Sequence, residues 1–411
     1  LGQDASNIQA TYFTGTLEGL CERPGVSTSG EKSGYPWIDA REETKGSRRA
    51  VVWVCYFCHQ FSAQLCLFAS QRNRDRGGLQ SSLGAMNWLM CAMHGVFVCL
   101  RIAESAFNLD GLSRELSVWC PQMGILLLLM MVVIMHNDVR GSLLGVRAPF
   151  NDAISYLIRR YHGYPFTFLV IQSLWHQPAM KTLSHTLNLA HLCLLLAQAS
   201  LHRTKHHINP YWKALLETFI VLQSIPLQST PCVLYTLLPT SPSSHLAFLF
   251  GFLFVFTATT LPGLPSFSSL SFLLRFLPLV GVLAAAIGTY RQDNFRDIQY
   301  TFILPGVIYI GTFVISAAGT ILLWGFGLMD GRDWGNAKRV ELVAIHRIAK
   351  SRNNSQSIQD LAKAQLKNLD LPLTWHPSSP QHPHWYRFAV FVTPFFIATA
   401  ILCLLGVDGG G

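Results

Sequence analysis

At 411 residues the chain has room for two or three soluble domains, yet 50% of its residues are hydrophobic and only 13% are charged, against roughly 25% in soluble globular proteins. So few charges cannot cover cores of that size, which argues against a soluble protein and for a polytopic membrane protein. The net charge of +9 comes from 31 Lys and Arg against 22 Asp and Glu lying between apolar runs, so it reads as orientation signals and lipid-headgroup contacts, not as a nucleic-acid footprint.

The first 48 residues are rich in Gly, Ser, Glu and Lys without a sustained apolar period, and they read as a flexible polar tail. No apolar signal-peptide region stands there, so the first spanning helix is expected to direct insertion itself. A hydrocarbon core about 30 Å thick needs about 20 apolar residues per helix. Runs of that kind cover 50–69, 83–103, 117–135, 184–201, 212–238, 246–261, 267–290, 302–328 and 388–407, an all-α bundle of eight or nine spans. The run 164–175 is too short to span and reads as re-entrant or interfacial.

The expected organisation is a tail over 1–48, a transmembrane bundle over 49–328, a basic amphipathic loop over 329–385 and a last transmembrane helix over 386–408. Leu342, Ile345, Ile348 and Ala349 share one face of that loop beside Lys338, Arg339, Arg347, Lys350 and Arg352, as in a helix lying on a membrane surface. Counting positive charges places the loop in the cytoplasm, although Arg72, Arg74 and Arg76 then fall outside. An endoplasmic-reticulum membrane is the expected location. The ten cysteines are scattered, most of them inside apolar runs, and do not read as a disulfide framework.

Several motifs invite chemistry. Cys55, Cys58 and His59 match the C-x-x-C-H pattern of haem attachment, but the motif lies inside an apolar helix and reads as thiols plus one helix histidine. His202, His206 and His207 form an H-x-x-x-H-H cluster at a helix end, where a membrane di-iron hydroxylase keeps a histidine box, yet no second or third box accompanies it. Asp293 and Asp297 have the D-x-x-x-D spacing of prenyl-diphosphate enzymes without a partner box. No P-loop, G-x-S-x-G or H-E-x-x-H motif occurs, and no cofactor or metal is expected.

The buried polar residues carry more weight. His185, Asn188 and His191 recur every three residues in the fourth run, and Gln198 continues the stripe. Ionisable groups in a spanning helix mark a functional site by default, although His and Asn also hold helices together. Glu217 lies inside the fifth run and Arg275 inside the seventh; each is costly in lipid unless paired or wetted, so Glu217 is expected to pair with Arg275, or either of them with the His stripe. Arg101 and Glu104 suit a structural pair along one helix, and His94 a satisfied core histidine.

In span count, lone buried acids and absence of other motifs, the membrane region resembles the integral-membrane terpene cyclases of fungal meroterpenoid metabolism. That resemblance implies protonation of an epoxide or alkene on a prenylated, lipophilic substrate; the charge pattern gives no nucleic-acid partner, and no stable protein partner is inferred. The resemblance also implies Glu217 as the acid, His185 and His191 as base or orienting groups beside Asn188, and Arg275 as a tuning charge. Three other readings stay open: a membrane-bound O-acyltransferase using His191 or His94, a transporter or channel lined by the polar stripe, and a di-iron hydroxylase at the His202 cluster.

Overall fold

The computed structural model describes residues 46–72, 81–104, 111–112, 116, 119–177, 183–227, 244–268, 270–291, 295 and 298–325. These form helices α1 (Gly46–Arg72), α2 (Ala85–Glu104), α3 (Trp119–Arg140), α4 (Asp152–Tyr161), α5 (Gly163–His176), α6 (Leu183–Ser200), α7 (Pro210–Leu227), α8 (Ser244–Val255), α9 (Pro265–Ser268), α10 (Phe272–Tyr290) and α11 (Tyr300–Gly325). A π-helical turn, Phe256–Thr260, and a 3₁₀ turn, Leu261–Gly263, follow α8 directly. Among the described residues the fold is all helical apart from one isolated bridge between Leu143 and Val146.

Among the described residues four segments are long and apolar enough to cross a membrane: Arg49–Gln71, Ala85–Glu104, Leu273–Tyr290 and Thr301–Leu322. At 1.5 Å per residue the 20 residues of α2 extend about 30 Å, the thickness of a hydrocarbon core. Their outward faces are apolar. On α1, Val51, Val54, Phe57, Phe61, Leu65 and Phe68 face outward at helical spacing, while His59, Gln60 and Ala63 face inward. The same inversion holds on α2, where Trp88, Leu89 and Val96 are exposed and Asn87, His94, Arg101 and Glu104 are buried. Lipid favours this polarity, because water would solvate the polar face and not the apolar one.

The runs expected at 117–135, 184–201 and 246–261 form the shorter apolar helical segments Met123–Asn137, Thr186–Ser200 and Leu249–Gly263. The run expected over 212–238 is described as far as Leu227, where α7 ends. Most of the expected tail, the basic loop and the last helix lie outside the described residues.

The segment 164–175, expected to be re-entrant or interfacial, lies in the enclosed α5, packed against α1, α3, α4 and α6. Eleven of its fourteen residues are buried, Leu169, Ile171 and Trp175 among them. Too short to span, it is shielded by longer neighbours, and its mixture of Thr167, Gln172 and His176 with apolar residues suits an interior position. A second packing centre joins α8 to α11, with α3 and α7 bridging the two. There Leu129, Met130, Val133, Val255, Leu304 and Ile308 form a core cluster.

The chain between α3 and α4 folds back over this second centre. Gly141 and Gly145 both take positive φ, and a Cβ on Gly141 would stand 2.4 Å from the Gly145 carbonyl carbon. Asn137 ties the loop down: its Nδ2 donates to the Ala148 carbonyl at 2.8 Å, and its Oδ1 accepts from Ser142 Oγ and Ala148 N. Leu144 then donates from its amide to the Ala258 carbonyl in the π-turn at 2.7 Å.

Candidate functional site

The buried face of α2 is polar along most of its length, since Asn87, His94 and Arg101 recur every seven residues and so share one side of the helix. At the first end Asn87 Nδ2 donates to the Ser200 carbonyl at 2.7 Å and the His202 carbonyl at 2.9 Å, satisfying acceptors at the end of α6. At the other end Arg101 pairs with Glu104 and donates to the Gln177 carbonyl at 2.7 Å. His94 occupies the middle, about 10 Å from either.

His94 meets His59 of α1 with Nδ1 at 2.8 Å from His59 Nε2, and the Trp175 indole of α5 reaches His59 Nδ1 at 3.1 Å. The His59 ring is fully enclosed and stacks on Phe97 with 4.4 Å between centroids. Three helices thus contribute one ring each to a hydrogen-bonded chain. C-x-x-C-H takes on a different meaning here: Cys58 is exposed on the outer face of α1 and Cys55 is half-buried, while His59 alone turns to the core.

A second histidine group lies at the junction of α4, α5 and the α6–α7 connection. His162, His202 and His207 have ring centroids 5.4 to 6.3 Å apart. His206, the middle member of the H-x-x-x-H-H motif, is exposed. His162, distant in sequence, takes its place beside His207 at 3.1 Å between Nε2 atoms. His207 Nδ1 lies 3.1 Å from the Gln198 carbonyl and His162 Nδ1 lies 2.9 Å from the Arg159 carbonyl. Enclosure of the ring, then His162 and Lys213 beside it, lower the His207 pKa from 6.5 to about 3 against the opposing pull of the Gln198 carbonyl. Among the described residues no group of three or more His, Cys, Asp or Glu side chains could hold a metal ion.

The stripe on α6 faces α7. His191 is buried and stacks on Phe219 at 5.8 Å, while Gln198 Oε1 accepts from the Trp212 indole at 2.6 Å. Asn188 is half-buried on α6, and the His185 side chain lies outside the described residues. Glu217, half-buried on α7, meets the hydroxyl of buried Thr260 at the end of the π-turn. Thr257 and Thr259 bond back to carbonyls of their own helix, so Thr260 is the member of this run that reaches across. Glu217 and Phe219, two residues apart, project from different sides of α7. His191 therefore lies on one side of that helix and the Glu217 contact on another.

Arg275 is half-buried at the start of α10, with Nε donating to the Leu270 carbonyl at 3.1 Å and Nη2 to the Ser268 carbonyl at 2.5 Å. Its guanidinium also stands close to Gly145. These contacts hold Arg275 near the loop that packs on the π-turn, and Glu217 is not among them. Of the residues singled out in the sequence, the structure thus brings Glu217 and Arg275 to the surroundings of one turn and separates them from His191. Trp175, His162 and Thr260 were not anticipated. The seven-residue recurrence of Asn87, His94 and Arg101 was the available sequence signal for the polar face of α2.

No protein-family model, no curated protein and no solved structure matches the chain. Among the described residues the fold itself defines the class: all helical, with four helices long and apolar enough to cross a membrane. Buried His, Asn, Arg and Glu side chains lie between its helices.

Proposed function

We propose that the chain is an integral-membrane enzyme that acts on a lipophilic, prenylated substrate by acid–base chemistry, with Glu217 as the proton donor. The observation that carries this reading is the contact of Glu217 with Thr260 at a π-turn, a feature frequent at functional sites. A carboxyl group between helices with apolar outer faces can protonate an epoxide or alkene where water competes poorly, and the Thr260 hydroxyl fixes its orientation. The resulting carbocation would be stabilised by aromatic faces, which the sequence supplies in 26 Phe, 12 Tyr and 10 Trp. His191, stacked on Phe219, braces α6 against the side of α7 away from the acid.

Protonation-initiated cyclisation of a meroterpenoid precursor is the specific form of this reading. An eight- or nine-span topology in the endoplasmic reticulum belongs with it, supported by the nine apolar runs of the sequence. The test is incubation of microsomes carrying the protein with farnesylated epoxides in the absence of cofactor. Products of unchanged mass are expected. A product heavier by one oxygen would replace this reading with oxygenation at the histidine group, and dependence on acyl-CoA would replace it with acyl transfer.

A second reading, a proton or solute pathway, is favoured by the polar face of α2. From Asn87 to Glu104 it extends about 25 Å, most of a membrane's hydrocarbon thickness. Absence of conversion together with dissipation of a pH gradient in proteoliposomes would favour it.

A further inference from the structure

The chain of rings at the centre of α1, α2 and α5 has one assignment of protons. An indole nitrogen only donates, so Trp175 Nε1–H makes His59 Nδ1 an acceptor. A neutral His59 then carries its proton on Nε2, which donates to His94 Nδ1 at 2.8 Å. His94 in turn carries its proton on Nε2. That nitrogen is buried and has no hydrogen-bond partner among the described residues, and His94 as a whole is 3% exposed. A buried donor left unmatched is costly enough that native structures pair nearly all of them.

The chain of rings to which it belongs is set in apolar packing, and that bears on what can match it. Val52, Tyr56, Val170, Leu174, Leu192 and Leu196 belong to the core cluster that encloses Trp175. Arg101 and Glu104, the charged pair of α2, lie seven and ten residues along the helix and answer each other. An uncharged oxygen on an apolar body therefore fits, and a carboxylate or phosphate does not. A second observation points the same way: Gln60 Oε1 on α1 and Thr167 Oγ1 on α5 are also buried without a partner among the described residues. Hydrogen-bonding capacity beyond what the helices use thus collects around α1, α2 and α5.

We infer that Trp175, His59 and His94 form a relay of fixed tautomers that presents His94 Nε2–H to the ketone, ether or epoxide oxygen of a neutral lipophilic molecule held between the helices. Trp175 and His59 are positioning residues in this site, and His94 is the group that touches the ligand. The site is distinct from Glu217 and Thr260 and does not depend on the reading proposed for them.

The experiment uses the full chain in lipid nanodiscs, labelled with ¹⁵N-histidine, and 2-heptadecanone carrying ¹³C at its carbonyl as the probe. Solid-state NMR of the ring nitrogens should find His59 and His94 both protonated at Nε2. The His94 signals are assigned by their loss in His94→Gln. The ketone carbon should dephase His94 Nε2 and leave the exposed His206 unaffected. His94→Gln places an amide N–H near the same position and should keep ketone affinity, whereas His94→Phe should weaken it about tenfold, one hydrogen bond's worth. A His94 protonated at Nδ1 would overturn the inference, as would a Nε2–H in contact with water and silent to the ketone. Equal ketone binding by His94→Phe would also overturn it. Should His94→Phe fail to fold, the wild-type tautomer and dephasing measurements decide alone.

Discussion

Replacing Arg101 by Met should destabilise the folded protein by about 3–5 kcal/mol, because it removes the guanidinium that faces the buried Glu104 carboxylate. The magnitude follows from enclosure: the side chains of the pair are 3% and 11% exposed, and Arg101 additionally satisfies the Gln177 carbonyl. Glu104→Gln should cost a similar amount, since it leaves the guanidinium with a neutral neighbour. Removing both charges should cost far less than the two single changes together, leaving a coupling energy of at least about 2 kcal/mol. Such losses are a large part of an ordinary folding stability of about 5–15 kcal/mol. The assay is a double-mutant cycle on reversible unfolding in mixed micelles. Single changes below about 1 kcal/mol, the value of an exposed pair, or strict additivity would place the pair in water.

Other substitutions probe the same framework. Gly111→Ala should lower the unfolding free energy by about 1–3 kcal/mol, measured in the same micelles. Its φ is +56° and a Cβ would stand 2.4 Å from the Trp175 carbonyl oxygen and 2.7 Å from Arg101 Nη2. Asn87→Leu should cost about 2–4 kcal/mol by stranding the Ser200 and His202 carbonyls, and protease cleavage between α6 and α7 should accelerate. Acid should destabilise the protein through His207, whose pKa falls from 6.5 unfolded to about 3 folded. Between those values the unfolded chain binds the extra proton, so stability is full above about 6.5 and declines as pH drops toward 3. The slope is at most about 1.4 kcal/mol per pH unit. His207→Gln should flatten that decline in pH-dependent unfolding curves.

The long spans were legible because lipid imposes a length and a near absence of charge: α1, α2, α10 and α11 carry that signature residue by residue. The enclosed α5 was harder to read, since a helix wrapped by its neighbours need not reach both membrane faces. The α6 stripe was legible as a periodicity, but its partners were not. Phe219 and Trp212 on α7 answer His191 and Gln198, and only helix packing reveals that. The expected pairing of Glu217 and Arg275 with each other or with the His stripe rests on cost alone, and Thr260 and nearby carbonyls meet that cost by shorter routes. His162 joins His207 across 45 residues, a pairing no local spacing encodes.

Glu217 as the acid of a membrane enzyme is tested by comparing wild type, Glu217→Gln and Thr260→Val in microsomes fed farnesylated epoxides. An isomer of unchanged mass should form with wild type and vanish with Glu217→Gln, which keeps the side chain's shape and removes its acidity. Thr260→Val should retain a slower reaction, since it loosens the carboxyl group without removing it. Conversion by Glu217→Gln at the wild-type rate would rule out Glu217 as the proton donor.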